Sequence, residues 1–199
     1  MKSKDKLKEI RLDIINDPEQ KDYTNMGWLP LYQVSSKSKI IIVGQAPGLK
    51  TQNKNVAWQD KSGNRLRSWL GVDESNFYDT SNFAQLPMDF YYPGKGKTGD
   101  LPPRKGFAQK WHPKILNELK NVKLIILIGN YAQKYYLGNL SKKNLTENIK
   151  NYQLFLPKFF VLPHPSPLNL RWFIKNPWFE QEVLLELKSY VHKILNEKN

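Results

Sequence analysis

Cysteine is absent from all 199 residues. That excludes disulfides, thiolate-ligated zinc and Cys-held iron–sulfur clusters in one step. Histidine is scarce: His112, His164 and His192 are the three present, too few for a His-rich metal site. No apolar run approaches the roughly 18 to 20 residues that a membrane-spanning helix needs. The charged start, Met1-Lys2-Ser3-Lys4-Asp5-Lys6, leads into no apolar leader segment. The expectation is a cytoplasmic chain with no cofactor, no metal and no membrane partner. Acidic residues are also few, with 18 Asp and Glu against 31 Lys and Arg, a formal net charge of +13. Such an excess suits a polyanionic partner, because each neutralised phosphate releases condensed counterions. By itself it fits a merely well-solvated or membrane-attracted domain equally well.

What is present is globular in composition: 40% hydrophobic and 13% aromatic residues, in a length that suits one well-cored domain. Residues 1–199 are therefore read as a single monomeric domain, with 1–36 as a helical and loop extension packed on it. Apolar runs at residues 39–43, 123–128 and 159–162, with a weaker one at 82–86, resemble strands buried on both faces. Between them lie helical stretches. Residues 180–195 place Val183, Leu184, Leu187, Val191, Ile194 and Leu195 on one face. Residues 131–137 and 62–70 each end at a glycine, Gly138 and Gly71, as capped helices do. This alternation predicts an α/β fold with a central, mostly parallel sheet flanked by helices. Residues 91–106 combine glycines and prolines with Lys95, Lys97, Arg104 and Lys105, and read as a long basic surface loop.

Open α/β sheets bind ligands outside the carboxyl ends of their strands. Two strands run directly into unusual segments there. Gly44-Gln45-Ala46-Pro47-Gly48 is a tight turn whose backbone could approach a base or an anion closely. Pro163-His164-Pro165-Ser166-Pro167-Leu168-Asn169 uses three prolines to hold a histidine, a serine and an apolar tip in fixed relation. Each segment is also readable as an ordinary structural turn. Gly96-Lys97-Thr98 imitates the end of a P-loop, but Tyr91 stands where that motif needs glycine.

In this order, about 120 residues apart, the two segments resemble the paired motifs of the uracil-DNA glycosylase superfamily. The resemblance is strongest to the branch whose first motif is Gly-Glu-Ala-Pro-Gly. That branch carries four cysteines around an iron–sulfur cluster, so this chain resembles a cluster-free relative. The resemblance implies a DNA-repair enzyme that flips uracil from the helix and hydrolyses its N-glycosidic bond, leaving an abasic site. The alternatives are a glycosylase for another deaminated or mismatched base, or a non-catalytic DNA or abasic-site binder.

Site roles follow from the same resemblance. His164 would donate a hydrogen bond to the departing base, Trp58 would stack on it, and Asn82 would read its edge. Gln45 and Ala46 would contact the base, with Gln45 also orienting water. Ser166 would pinch a phosphate, Leu168 would enter the duplex as an apolar wedge, and Asn169 would contact DNA beside them. Lys97 and Arg104 would meet DNA phosphates. Many relatives carry an Asp, Asn or Glu in the first motif, where this chain has Gln45 and Ala46. Asp60, two residues past Trp58, is the expected substitute carboxylate; a helix N-cap is the competing reading.

Overall fold

The computed structural model describes residues 3–197. Four parallel strands form the central sheet: β1 (Ile40–Val43), β2 (Phe83–Gln85), β5 (Leu124–Ile128) and β6 (Phe159–Leu162), in the spatial order β2-β1-β5-β6. Ile40 pairs with Phe83 on one side of β1 and with Leu124 on the other, and Ile125 pairs with Phe159. Every residue of β1, β5 and β6 is buried, which is why these runs are uniformly apolar rather than alternating. Full burial of each Ile or Leu contributes roughly 1.5–3 kcal/mol. The order reverses direction between β1 and β5, so the crevice outside their carboxyl ends is the natural ligand site.

Helices cover the sheet. In chain order they are α1 (Ser3–Asn16), α2 (Lys21–Asn25), α3 (Leu49–Lys54), α4 (Lys61–Leu70), α5 (Glu74–Tyr78), α6 (Phe107–Leu116), α7 (Gly129–Leu137), α8 (Leu145–Lys150), α9 (Leu170–Lys175) and α10 (Leu184–Asn196). α1 buries Ile10 and Ile14 and packs on α6, so the N-terminal segment contributes to the core. α4 ends at Gly71 in the left-handed conformation (φ 69°) and packs against α10. The expected helix at 180–195 is interrupted: Phe179–Val183 forms a π-helical turn before α10 begins at Leu184.

Residues 91–106 depart from the expected basic surface loop. Tyr91 and Tyr92 are buried, and the segment contains a two-stranded antiparallel hairpin, β3 (Lys95–Gly96) and β4 (Gly99–Asp100). The P-loop lookalike is the turn of this hairpin, with Lys97 exposed on it. Arg104 does not face solvent as a free cation. Its Nε and Nη2 donate to the two carboxylate oxygens of fully buried Asp89, each at 2.8 Å, and its Nη1 donates to Gln20 at 2.7 Å. The guanidinium also lies 4.6 Å from the Tyr23 ring centroid and 4.5 Å from that of Phe107. The expectation that Arg104 contacts DNA phosphate is corrected accordingly, because its donors are committed inside the protein.

His112 on α6 is fully buried. Its Nε2 lies 2.9 Å from the Pro87 carbonyl, which can only accept, so Nε2 carries the proton and Nδ1 accepts from the Tyr136 hydroxyl at 2.7 Å. Burial of this neutral ring lowers its pKa from 6.5 to about 4.

Two outcomes follow. The unfolded chain takes up a proton at His112 near pH 6.5 and the folded chain only near 4, so stability falls as pH drops through that window. The loss attributable to His112 is about 3 kcal/mol at pH 4. Denaturant unfolding of wild type and His112→Gln across this range measures it as the difference in slope with pH. Arg104→Ala, which strands the buried Asp89 carboxylate, should cost about 3–5 kcal/mol of stability.

Candidate active site

A cleft of about 510 Å³ opens at the carboxyl ends of the strands and is lined by both motif segments. Gln45, Ala46, Trp58, Asp60, His164, Ser166, Leu168 and Asn169 all line it, although they come from distant parts of the chain.

The first motif leaves β1 as a turn tied to the segment after β2. Met88 N–H donates to the Gly44 carbonyl at 2.9 Å, and Asp89 N–H donates to that of Gln45 at 3.1 Å. Trp58 is mounted on this turn. A Cβ added at Gly44 would lie 3.2 Å from Cζ2 of the indole, so glycine allows the ring its seat there. Trp58 itself has φ 62°, a left-handed conformation that costs a bulky residue on the order of 1–3 kcal/mol. Its carbonyl accepts from Arg67 Nη1 at 3.1 Å, and the Ala57 carbonyl accepts from the Tyr78 hydroxyl at 2.8 Å. Gly63 is required as well: a Cβ there would fall 1.7 Å from the Trp58 carbonyl oxygen. Backbone geometry of this kind persists only where surrounding contacts hold it, and it clusters at functional sites.

The second motif begins where β6 ends. Ser166 N–H donates to Nδ1 of His164 at 3.2 Å, so the proton of the neutral imidazole sits on Nε2. Burial holds the His164 pKa below its ordinary value, with the charge of Asp60 working against that shift. A neutral ring with a defined Nε2–H donor therefore stands in the cleft, its centroid 5.9 Å from that of Trp58. The loop beyond is stiff. Asn169 Nδ2 donates to the His164 carbonyl at 2.8 Å, and Ser166 Oγ accepts from Leu168 N–H at 3.2 Å. Arg65 Nη1 donates to the carbonyls of Pro165 and Ser166 at 3.2 and 3.4 Å. At the tip Leu168 is 93% exposed, an apolar side chain held out into solvent by a braced turn.

Asp60 is a helix cap at the edge of the cleft. Its Oδ1 accepts from Gly63 N–H at 2.9 Å as the N-cap of α4, and the residue also lines the cleft.

Asn82 does not belong to the site. It precedes β2 at the amino end of that strand, with its amide donating to Asn76 at 3.3 Å, whereas the cleft opens at the carboxyl end. The residue at that end is Gln85. It is 2% exposed and lines the cleft, and both its amide oxygen and its amide nitrogen lack a hydrogen-bond partner. An unsatisfied buried amide costs about 1–3 kcal/mol. The sequence did carry a signal for it, a lone amide in the apolar run Phe83-Ala84-Gln85-Leu86. Among the described residues no cluster of three His, Asp or Glu is placed to hold a metal ion, and no helix is long and apolar enough to cross a membrane.

The family model described as the uracil DNA glycosylase superfamily matches residues 31–188, a span that takes in the whole sheet and both motif segments. With a parallel sheet that brings a strained aromatic, a neutral histidine donor and an exposed leucine to one cleft, the chain belongs to the uracil-DNA glycosylase superfamily of base-excising DNA repair enzymes.

Proposed function

We propose that this protein excises uracil from DNA by hydrolysis of the N-glycosidic bond, leaving an abasic site. The observation that carries the reading is the unpartnered Gln85 amide, buried in the same cleft as His164 and Trp58. An amide presents one donor and one acceptor group, which match O4 and N3–H of a flipped uracil. The indole of Trp58 offers a flat surface for stacking, and Leu168 suits the gap that the base leaves in the duplex. Ser166 and Asn169 flank that tip and suit phosphate or sugar contact, while exposed Lys97 suits the phosphate backbone.

The chemistry follows from His164. As the bond between C1′ and N1 breaks, its electron pair moves to the base and negative charge reaches O2. A preorganised Nε2–H aimed there lowers the barrier, and neutrality lets it donate without first placing a full charge in the cleft. Gln45 can orient the attacking water, although an amide does not take its proton.

Hypoxanthine is the second reading, because its O6 and N1–H present the same acceptor and donor to Gln85. It lacks a carbonyl at the position of O2, so His164 favours uracil. Incubating the purified protein with duplexes that hold uracil, hypoxanthine or xanthine, then cleaving abasic sites with alkali, separates these possibilities. Uracil is expected to be released fastest. Binding to abasic DNA without release of any base would instead identify a non-catalytic binder.

Substitutions test the named roles. His164→Ala should slow single-turnover excision by about 2.7–4 kcal/mol of barrier while DNA affinity changes little. Gln85→Leu should raise stability by about 1 kcal/mol, since it removes an unsatisfied amide, and should slow excision at least about tenfold. A Gln85→Leu variant that excises uracil at the wild-type rate would remove the amide from base recognition.

A further inference from the structure

Hydrolysis of an N-glycosidic bond builds positive charge on the sugar and requires a proton to leave the attacking water. The first motif supplies no carboxylate for either need. Two carboxylates line the cleft, those of Asp60 and Asp100. Asp60 is already occupied as the cap of α4, and its charge is the one felt by His164, beside which the negative charge of the leaving base accumulates. An anion at that place opposes departure of the base.

Asp100 sits differently. It ends β4 of the hairpin that folds over the cleft, and its Oδ2 would lie 3.5 Å from a Cβ built on Gly48, the last residue of the first motif. Its Oδ1 accepts from the Tyr92 hydroxyl at 3.4 Å, while Oδ2 has no hydrogen-bond partner among the described residues. The hairpin is fastened where this matters. Gln45 Nε2 donates to the Leu101 carbonyl at 3.5 Å, Tyr92 N–H donates to Gln52 at 3.0 Å, and Asp89 grips Arg104 just beyond. Leu101 packs against Gly94 and Gly96, so that a Cβ at either glycine would meet its side chain within 3.4 Å.

We propose that Asp100, carried in by the hairpin, is the catalytic carboxylate that the first motif lacks. The proposal rests on the glycosylase reading above. In the step it serves, the bond between C1′ and N1 breaks with its electron pair passing to the base, and water oxygen bonds to C1′. One water proton passes to the Asp100 carboxylate and from there to the base anion or to solvent. The products are the abasic sugar hydroxyl and the free base, with no other reactant consumed. When DNA closes the cleft and expels water, an anion here acts on the sugar cation in a medium that screens it far less than solvent does.

Single-turnover excision of uracil by wild type, Asp100→Asn and Asp60→Asn tests this assignment, with affinity for abasic-site DNA and melting temperature measured alongside. Asparagine keeps the shape of Asp100 and its acceptance from Tyr92, so the variant removes charge alone. The expected result is a loss of at least about tenfold for Asp100→Asn, with abasic-site affinity and melting temperature held. Asp60→Asn, whose amide oxygen still accepts from Gly63 N–H as the cap of α4, should hold melting temperature and lose less rate. An Asp100→Asn variant as fast as active wild type overturns the role of Asp100 and leaves the glycosylase reading intact. A wild type that releases no base overturns that reading, and this proposal with it.

Discussion

The Asp89–Arg104 pair is the contact on which the working geometry of this protein depends. Asp89 is fully buried and accepts four hydrogen bonds, from the backbone and side chain of Arg104 and from Tyr91 N–H. Its own N–H holds the Gln45 carbonyl of the first motif, and Arg104 reaches on to Gln20 near the N-terminus. One ion pair thus joins the turn after β1, the hairpin over the cleft and the N-terminal segment. Taking both charges out of water is costly, and the bidentate geometry with added backbone donors offsets that cost.

A second set of constraints prepares the cleft at the expense of stability. Trp58 is held in a left-handed backbone conformation, Gln85 is buried with both amide atoms unsatisfied, and Leu168 is projected into water. Each is unfavourable for the isolated chain, and each suits the role proposed for it: stacking on a flat base, reading a polar base edge and filling a gap in a base stack. Costs of this kind gathered in one cleft are what a site complementary to something outside the protein looks like. The rigid core of β1, β5 and β6, with His112 bridging α6 to Pro87 and Tyr136, carries that burden.

The central strands, the parallel α/β architecture and the two motif segments were legible in the sequence because each rests on local information. A strand buried on both faces must be continuously apolar, and Gly- or Pro-rich turns must follow where the chain reverses. His164, Trp58, Ser166 and Leu168 were named from the resemblance of their motif segments to the uracil-DNA glycosylase superfamily. The structure brings all four to one cleft, partly through distant supports such as Gly44 beneath Trp58 and Arg65 on the Pro165 and Ser166 carbonyls. Asp60 was readable as a cap from its place before α4, and the structure shows it performing that role while also facing the cleft.

Tertiary structure alone decided the rest. Asn82 and Gln85 are three residues apart, yet the direction of β2 places one at the amino end of the sheet and the other in the cleft. Arg104 reads as a surface cation until Asp89, fifteen positions earlier, closes around it. Asp100 reaches Gly48 because the hairpin folds back over a turn some fifty residues before it in the chain. Composition and periodicity report which residues must leave water and which local conformations are cheap. They do not report which polar groups from distant segments find each other, and that pairing separates a structural charge from a catalytic one.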